Sequence, residues 1–262
     1  EFIHHLPFYG LAVLCDDDPY LRGLVNELAR PVRTYGFEAT ADVQAVDVRA
    51  DAGRSHFTVT GTSTEPLPIT LNLPGRHNVL NALGAITVAN ALGVSDAAIQ
   101  RALQGFSGIG RRFQQLGALP VAGGEALLMD DYAHHPREIA AVLEALRSGW
   151  PDHRLVIAFQ PHRYSRTRDL FEDFARVLSD ADVLLVTEVY PAGETALPGA
   201  DARSLCRAIR QRGQVDPVFV EGIGELCAIL PSQLQADDIL ITLGAGSIGG
   251  ALPRLLNGEA GE

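Results

Sequence analysis

The densest group of chemically capable side chains lies between residues 129 and 138, where the sequence reads "MDDYAHHPRE". Such a run could bind a metal ion, supply an acid-base pair, or form a polar loop between a strand and a helix. The adjacent His134 and His135 point in different directions in any regular backbone, so both bind one metal ion poorly. A nucleotide enzyme, with Asp131 at a ribose hydroxyl and His134 toward a substrate, fits better. A metal hydrolase that also uses Asp130 stays open as an alternative.

A second group occurs in "FQPHRYSRTRDL", where His162, Arg163, Arg166 and Arg168 follow a predicted strand. Ligands of parallel α/β sheets bind at this carboxyl end of the strands. Arg163 and Arg166 are three residues apart and can turn to one target, each contributing about 1.5 to 3 kcal/mol when bonded to a carboxylate. Arginines that are merely solvated are the alternative, but cations are disfavoured at a helix N-terminus unless an anion compensates. The pattern predicts an anion clamp.

Two further motifs carry weaker signals. In "PGRHNVLNALGA", Asn78 and Asn81 share one helix face, and their carboxamides suit the edge of an adenine, although an Asn cap with a solvated neighbour explains them as well. "GAGSIG" at 244–249 matches GxGxxG, but dinucleotide binding needs a further strand and an acid about 20 residues on. Only 13 residues follow Gly249. A structural or phosphate-approaching glycine turn is therefore favoured over NAD binding.

The composition excludes several classes of protein. The chain has 262 residues and a formal net charge of -11, which disfavours binding to nucleic acid or anionic membranes. Its three cysteines are far apart, so neither a disulfide framework nor a zinc ribbon is predicted. No apolar run is long enough to span a membrane, and we expect a cytoplasmic protein. All 21 basic side chains are arginine, and there is no lysine.

The elements that must position these residues follow from the hydrophobic pattern. A strand at 10–15 and a helix with Leu21, Leu24, Val25 and Leu28 on one face open the chain, which suggests that an N-terminal portion is missing. Residues 41–73 alternate, predicting antiparallel strands with turns at Ala52-Gly53 and near Gly61. A helix over 79–92 ends at Gly93, and a second is capped by Ser95.

Beyond Gly110, where we place a domain boundary, strands and helices alternate, which predicts an α/β fold with a mainly parallel sheet. Strands are predicted at 126–130, 154–159, 183–188, 217–220 and 238–243, and helices at 137–148, 168–179, 202–211 and 223–231.

Six motifs in one order, "GRHNVLNALGA", "GIGRRF", "DDYAHHPRE", "FQPHRYSRTRDL", "EVYPAGE" and "TLGAGSIG", resemble the Mur ligase family of peptidoglycan synthesis over essentially the whole chain. The resemblance implies the later part of a truncated central ATPase domain at 1–110 and a Rossmann-like C-terminal lid domain, which binds the amino acid, at 111–262. Because the chain has no lysine for a P-loop, we expect that loop, the Mg²⁺ ligands and the UDP-sugar pocket to lie upstream.

The resemblance is strongest to members that use ATP and Mg²⁺ to join L-alanine to the lactyl carboxylate of UDP-N-acetylmuramate through an acyl phosphate. It implies Asn78 and Asn81 at the adenine, Arg112 at the ATP phosphates and Asp131 at the ribose. Around L-alanine it implies Tyr132, His134, His162, Arg163 and Arg166, with the catalytic roles on Arg112 and His134.

Some of these points stay open. A recycling ligase that attaches a murein peptide to the same nucleotide sugar, or a non-catalytic module that binds a small anion, are the alternative functions. Arg111 receives no role, and His135 is expected to cap a helix. We expect the chain to be inactive alone.

Overall fold

The computed structural model describes residues 2–51 and 53–258. The chain forms two compact units, Glu1–Ser107 (unit 1) and Gly108–Glu262 (unit 2). Within the described ranges, no helix is both long and apolar enough to cross a membrane.

The sheet of unit 1 mixes parallel and antiparallel pairs. Its strands, in spatial order, are β1 (Ala12–Cys15), β2 (Val32–Gly36), β3 (Val43–Asp51), β4 (Arg54–Thr60) and β5 (Leu67–Leu71). The first three run parallel, and β3, β4 and β5 are antiparallel, which confirms the predicted hairpins. Strand β2 was not predicted because "VRTYG" is short and does not alternate. Of the predicted turn at Ala52-Gly53, Ala52 lies outside the described residues.

The helices of unit 1 are α1 (Pro19–Leu24), α2 (Arg76–Ala91) and α3 (Asp96–Gln104). Helix α2 packs Val79, Leu83 and Ile86 against the buried side chains of β3, β4 and β5. It ends as predicted before Gly93, whose φ of +77° suits glycine. The helix predicted with Leu21, Leu24, Val25 and Leu28 on one face is shorter than expected, because α1 ends at Leu24. Ser95 is at the N-cap of α3, as predicted, but its side chain makes no capping hydrogen bond.

The sheet of unit 2 has six strands. They are β6 (Gln114–Val121), β7 (Gly124–Asp131), β8 (Leu155–Phe159), β9 (Val183–Thr187), β10 (Val218–Val220) and β11 (Ile239–Leu243). The spatial order is β10-β9-β8-β11-β7-β6, and all neighbours are parallel except β6 with β7. The predicted α/β class with one mainly parallel sheet is confirmed. Strand β6 was missed.

Helices cover both faces of this sheet. They are α4 (Pro136–Gly149), α5 (Tyr164–Asp169), α6 (Phe171–Leu178), α7 (Ala202–Arg212), α8 (Ile223–Gln233) and α9 (Ala251–Leu256). One core includes Ile139, Phe174 and Leu205, and the other includes Leu226 and Leu252. The single helix predicted at 168–179 is instead two, α5 and α6, because Leu170 leaves the helical region with a φ of -117°.

The topology brings the candidate residues together. Parallel strands place their carboxyl ends on one side, so the segments after β7, β8, β9 and β11 meet there. We call this the carboxyl edge of unit 2. It carries both groups of side chains with which the sequence analysis began.

Candidate active site

The buried Asp131, at the end of β7, organises the loop that follows. Its Oδ2 accepts a hydrogen bond from the Phe113 amide and its Oδ1 from the Ala133 amide, both at 2.7 Å. Burial raises the pKa of Asp131, although the two amides and the nearby Arg112 oppose that shift. The carboxylate is only 3% exposed. A ribose hydroxyl would therefore have to bond to lone pairs of the Asp131 carboxylate that the two amides do not use. Binding of a ribose by Asp131 stays a prediction.

Asp130 and Arg111 join β7 to the segment after β11. Asp130 accepts from Thr242 Oγ1 at 2.5 Å and from Arg111 Nε at 2.8 Å. Arg111 Nη2 also donates to the Gly244 carbonyl at 2.5 Å. Because these contacts use a buried carboxylate and a backbone carbonyl, they give Arg111, which had no predicted role, a structural one.

The predicted helix cap is confirmed at His135. Its Nδ1 accepts from the Arg137 amide at 3.2 Å at the start of α4. Glu138 completes the capping box by accepting from the amides of His134 at 3.0 Å and His135 at 3.2 Å. The two adjacent histidines therefore have different tasks, since His135 belongs to the helix and His134 does not.

The ring of His134 is held by acceptors on one side and aromatic rings on the other. Its Nδ1 donates to the Tyr132 carbonyl at 2.9 Å and lies 3.5 Å from Glu138 Oε2. The neutral ring is therefore protonated on Nδ1, which leaves the Nε2 lone pair for another proton. The ring centroids of Tyr132 and His162 lie 5.2 and 5.7 Å from that of His134. Arg112 lies 5.6 Å from the Tyr132 ring.

His162, after β8, lies between an aromatic ring and an arginine. It stacks on Tyr190 with 5.4 Å between centroids and 11° between planes. Arg166 Nη1 lies 3.3 Å from His162 Nδ1. Burial lowers the pKa of His162, and the neighbouring His134, Arg166 and Arg163 lower it further, while Glu194 opposes the shift. His162 is thus kept neutral more readily than an exposed histidine, as an acceptor for Arg166.

Arg163 occupies an unusual backbone conformation for a side chain with a Cβ, with a φ of +72°. The Tyr190 carbonyl accepts from the Arg163 amide at 2.8 Å and fixes this conformation. The Nη1 atom of Arg163 lies 3.8 Å from Glu194 Oε1. Arg168, in contrast, pairs with the adjacent Asp169 at 2.8 Å. The structure places Arg163 at the N-cap of α5 and Arg166 within this helix, but their convergence on an anion stays a prediction.

The glycine turn after β11 is shaped by close packing. A Cβ at Gly246 would lie 2.5 Å from Gln160 Oε1 and 2.6 Å from Tyr190 Cγ. Gln160 Oε1 also accepts from the Ile248 amide at 3.0 Å. The glycine at 246 lets the turn approach the site residues after β8 and β9, which gives "GAGSIG" the structural role that the sequence analysis favoured over NAD binding.

In unit 1, the candidate adenine-binding asparagines lie in the first half of α2. Asn78 is buried, and its Nδ2 donates to the Pro74 carbonyl at 2.8 Å, which leaves its Oδ1 as the acceptor. Asn81, one turn along, is exposed. The two side chains thus offer different hydrogen-bonding capacity, and adenine binding stays a prediction.

Three residues of the carboxyl edge escaped the sequence analysis. Gln160 supports the glycine turn, Tyr190 stacks on His162, and Glu194 binds Ser165 and faces Arg163. The motif "EVYPAGE" follows a predicted strand, so its position at the carboxyl edge was a signal that could have identified Tyr190 and Glu194.

The comparisons with protein families cover both units. A family model described as the glutamate ligase domain of Mur ligases matches residues 111–246, more than half of the chain. A second, described as the Mur ligase middle domain, matches residues 1–89.

Solved structures agree with these matches. The UDP-N-acetylmuramate-alanine ligase of Thermotoga maritima is 27% identical, with a TM-score of 0.76 over 95% of this chain and 51% of that one. A murein peptide ligase from Psychrobacter arcticus is 24% identical, with a TM-score of 0.65 over 98% and 53%. A MurF ligase from Thermotoga maritima in complex with ADP is 18% identical, with a TM-score of 0.72 over 97% and 55%. The last two show likeness of fold alone. The chain spans about half the length of each.

Proposed function

The chain belongs to the Mur ligase family, as its motifs predicted, and we propose that it is part of an ATP-dependent ligase that joins L-alanine to UDP-N-acetylmuramate. The alanine ligase of Thermotoga maritima supports this choice of substrate, since it is 27% identical over 95% of the chain. The observation that carries the proposal is the cluster of His134, His162 and two arginines at the carboxyl edge.

We assign the amino-acid carboxylate to Arg166 and Arg163. Arg166 has no ion pair among the described residues, and its Nη1 donates only to neutral partners, the His162 carbonyl at 3.4 Å and the His162 ring at 3.3 Å. A carboxylate would supply the charged acceptor that this guanidinium lacks. Tyr132, which is 36% exposed, adds an aromatic ring 5.2 Å from that of His134, between centroids. The site can therefore hold a small amino acid by its carboxylate end.

His134 would accept a proton from the amine. The ammonium group of L-alanine must lose a proton before its nitrogen can attack an acyl carbon. His134 can take that proton at Nε2, because its Nδ1 is occupied by the Tyr132 carbonyl. The nitrogen then forms the amide bond as phosphate leaves the acyl phosphate. Positioning by the two arginines supplies much of the rate enhancement.

The nucleotide side of the reaction involves Asn78, Asn81, Arg112 and Asp131. We assign the first two to the adenine, Arg112 to the phosphates, where an exposed cation offsets developing charge, and Asp131 to the ribose. ATP would supply the phosphoryl group that converts the lactyl carboxylate of UDP-N-acetylmuramate to an acyl phosphate, with release of ADP. Mg²⁺ accompanies ATP in the proposed reaction, but in residues 2–51 and 53–258 no group of three His, Cys, Asp or Glu side chains could hold a metal ion.

Phosphate release tests the proposal. The longer protein that contains this chain should release phosphate from ATP when given both UDP-N-acetylmuramate and L-alanine, and mass spectrometry should detect the amide product. This chain alone should release none, since it has no lysine for the phosphates. Omission of L-alanine is the control.

The same assay separates the alternatives. Product formation with a murein peptide in place of L-alanine would identify a recycling ligase. Absence of both phosphate release and an amide product with either amine would contradict the ligase proposal and favour a module that only binds a small anion.

A further inference from the structure

Glu194 places a carboxylate of the protein near Arg163, one of the two arginines to which the substrate carboxylate is assigned. It comes from the "EVYPAGE" segment after β9, whereas the arginines follow β8. Its Oε2 accepts from the Ser165 amide at 2.9 Å and its Oε1 from Ser165 Oγ at 2.7 Å. These bonds fix the carboxylate at the start of α5, and only 25% of its side chain is exposed.

The bonds from Ser165 also keep Glu194 charged. The Ser165 amide, and then the Ser165 hydroxyl, lower the pKa of Glu194, and Arg163 adds to the effect. The Arg163 pair is loose, at 3.8 Å between Nη1 and Oε1, and 49% of the Arg163 side chain is exposed. Glu194 therefore carries a fixed negative charge near Arg163. This charge partly offsets that of Arg163, but the two side chains do not form a close ion pair.

The three arginines at the N-cap and within α5 differ in how their charges are offset. Arg168 is neutralised by Asp169, and Arg163 is offset by Glu194. Arg166 alone has no carboxylate partner in the described part of the chain. This segment can therefore neutralise one additional carboxylate. We expect a second carboxylate on the same ligand to meet the negative charge of Glu194.

We propose that Glu194 is a specificity-determining residue that restricts this site to amino acids with uncharged side chains by repelling a side-chain carboxylate. The inference rests on the proposed function, because it assumes that the α-carboxylate binds at Arg163 and Arg166. It predicts discrimination by charge, whereas the size of the pocket would discriminate by shape.

Inhibition by L-aspartate and L-asparagine tests the inference, since the two amino acids have nearly the same shape and differ in charge. Both are measured as competitors of L-alanine ligation by the longer protein. In Glu194→Gln, the inhibition constant of L-aspartate should fall about tenfold, because a like charge is removed. That of L-asparagine should change less than about twofold.

Two further variants separate charge from structure. Ser165→Ala removes a bond that holds Glu194 but keeps the carboxylate, so it should change both inhibition constants in parallel. Glu221→Gln removes a matched carboxylate, which pairs with Arg203 at 3.4 Å beyond the edge strand β10, and should change neither. A parallel change for the two competitors in Glu194→Gln would show that Glu194 only supports α5, and would overturn the inference.

A binding measurement on this chain distinguishes the two proposals. If the longer protein ligates no amino acid, the proposed function fails. The amide ¹⁵N shifts of Arg163 and Ser165 in this chain still report binding of L-aspartate and L-asparagine. If Glu194→Gln binds L-aspartate more tightly than the wild type but L-asparagine equally well, discrimination by charge is upheld. An equal change in affinity for the two ligands would refute it.

Discussion

The two edges of the unit 2 sheet carry the same kinds of charged side chain but pair them differently. At the amino edge, which comprises the residues just before β8, β9 and β11, Arg154 binds Asp238 through two bonds of 2.9 and 2.7 Å. Asp182 accepts from the Leu155 amide at 2.7 Å and pairs with Arg147 at 2.9 Å. Each of these charges has a close partner of opposite sign.

At the carboxyl edge the pairing is incomplete. Arg163 faces Glu194 at 3.8 Å, and Arg166 has neutral partners within the described chain. The backbone at Arg163 is also held at a positive φ. Charge at the amino edge is thus neutralised within the fold, whereas Arg166 at the carboxyl edge has no carboxylate partner among the described residues, as the proposed function requires. Four experiments test this distinction.

The largest effect is expected from the double variant Arg163→Ala and Arg166→Ala. Each lost bond to the substrate carboxylate costs about 1.5 to 3 kcal/mol, so kcat/KM for L-alanine should fall by a factor of about 10² to 10⁴. Steady-state kinetics of the longer protein measures this loss. Arg168→Ala, whose partner is the exposed Asp169, is the matched control and should change kcat/KM little. Full activity of the double variant would contradict the clamp.

The second-largest effect is expected in the free energy of unfolding of a variant at the amino edge. Arg154→Ala leaves Asp238, which is 2% exposed, without its guanidinium. The free energy of unfolding should fall by about 3 kcal/mol. Denaturant unfolding measures it. The control is Arg210→Ala, because Arg210 pairs with Asp216 on the exposed surface and should cost less than about 1 kcal/mol. Equal losses in the two variants would remove the contrast between a buried pair and a surface pair.

A smaller effect is expected at the glycine turn. A Cβ in Gly246→Ala must displace Gln160 or Tyr190, which should cost about 1 to 3 kcal/mol of stability. Because Tyr190 stacks on His162, ligation should also slow. Gly250→Ala is the matched control, since its φ is -85° and no atom lies within 4 Å of the added carbon. Thermal unfolding of both variants provides the comparison, and an unchanged Gly246→Ala protein would refute the packing argument.

The smallest effect is the pH dependence of His162. Its pKa is lowered in the folded chain, so the unfolded chain binds the proton more tightly. Stability should therefore fall as the pH drops through about 6.5, by less than about 1 kcal/mol from this residue. His162→Asn should remove that component.

Urea unfolding of the wild type and of His162→Asn at pH 7.5 and 5.5 measures the difference. The wild type should lose more stability than the variant over this range. An NMR titration of the His162 ring should give a pKa below 6.5. Identical losses in the two proteins would show that the ring is not desolvated.

The sequence predicted those elements whose pattern is local. Strands β7, β8, β9 and β11 are apolar runs with clear breaks, and the cap at His135 was expected because this residue precedes Pro136, at the first turn of the helix. Strand β6 escaped because Gly117, at a φ of +136°, interrupts its register with β7 and hides the alternation. The break at Leu170 left no signal either, since the apolar spacing continues across it.

The sequence identified several residues of the candidate site, but not the contacts between them. Arg163 and Arg166 were identified from their spacing, and His134 from its place before a helix. The bond between Glu194 and Ser165 and the stack of Tyr190 on His162 join segments after different strands. Such contacts depend on the order of strands in the sheet, which the hydrophobic pattern of each strand does not specify.

The position of β11 has a consequence for how the carboxyl edge is assembled. This strand is the last of the sheet along the chain, yet it lies between β7 and β8 and pairs with both. The two loops that carry His134 and His162 are therefore not brought side by side until β11 has been inserted. Such pairing between distant segments is slow to form. We expect the histidine contact to appear late in refolding, after the neighbouring pair β8 and β9 has formed.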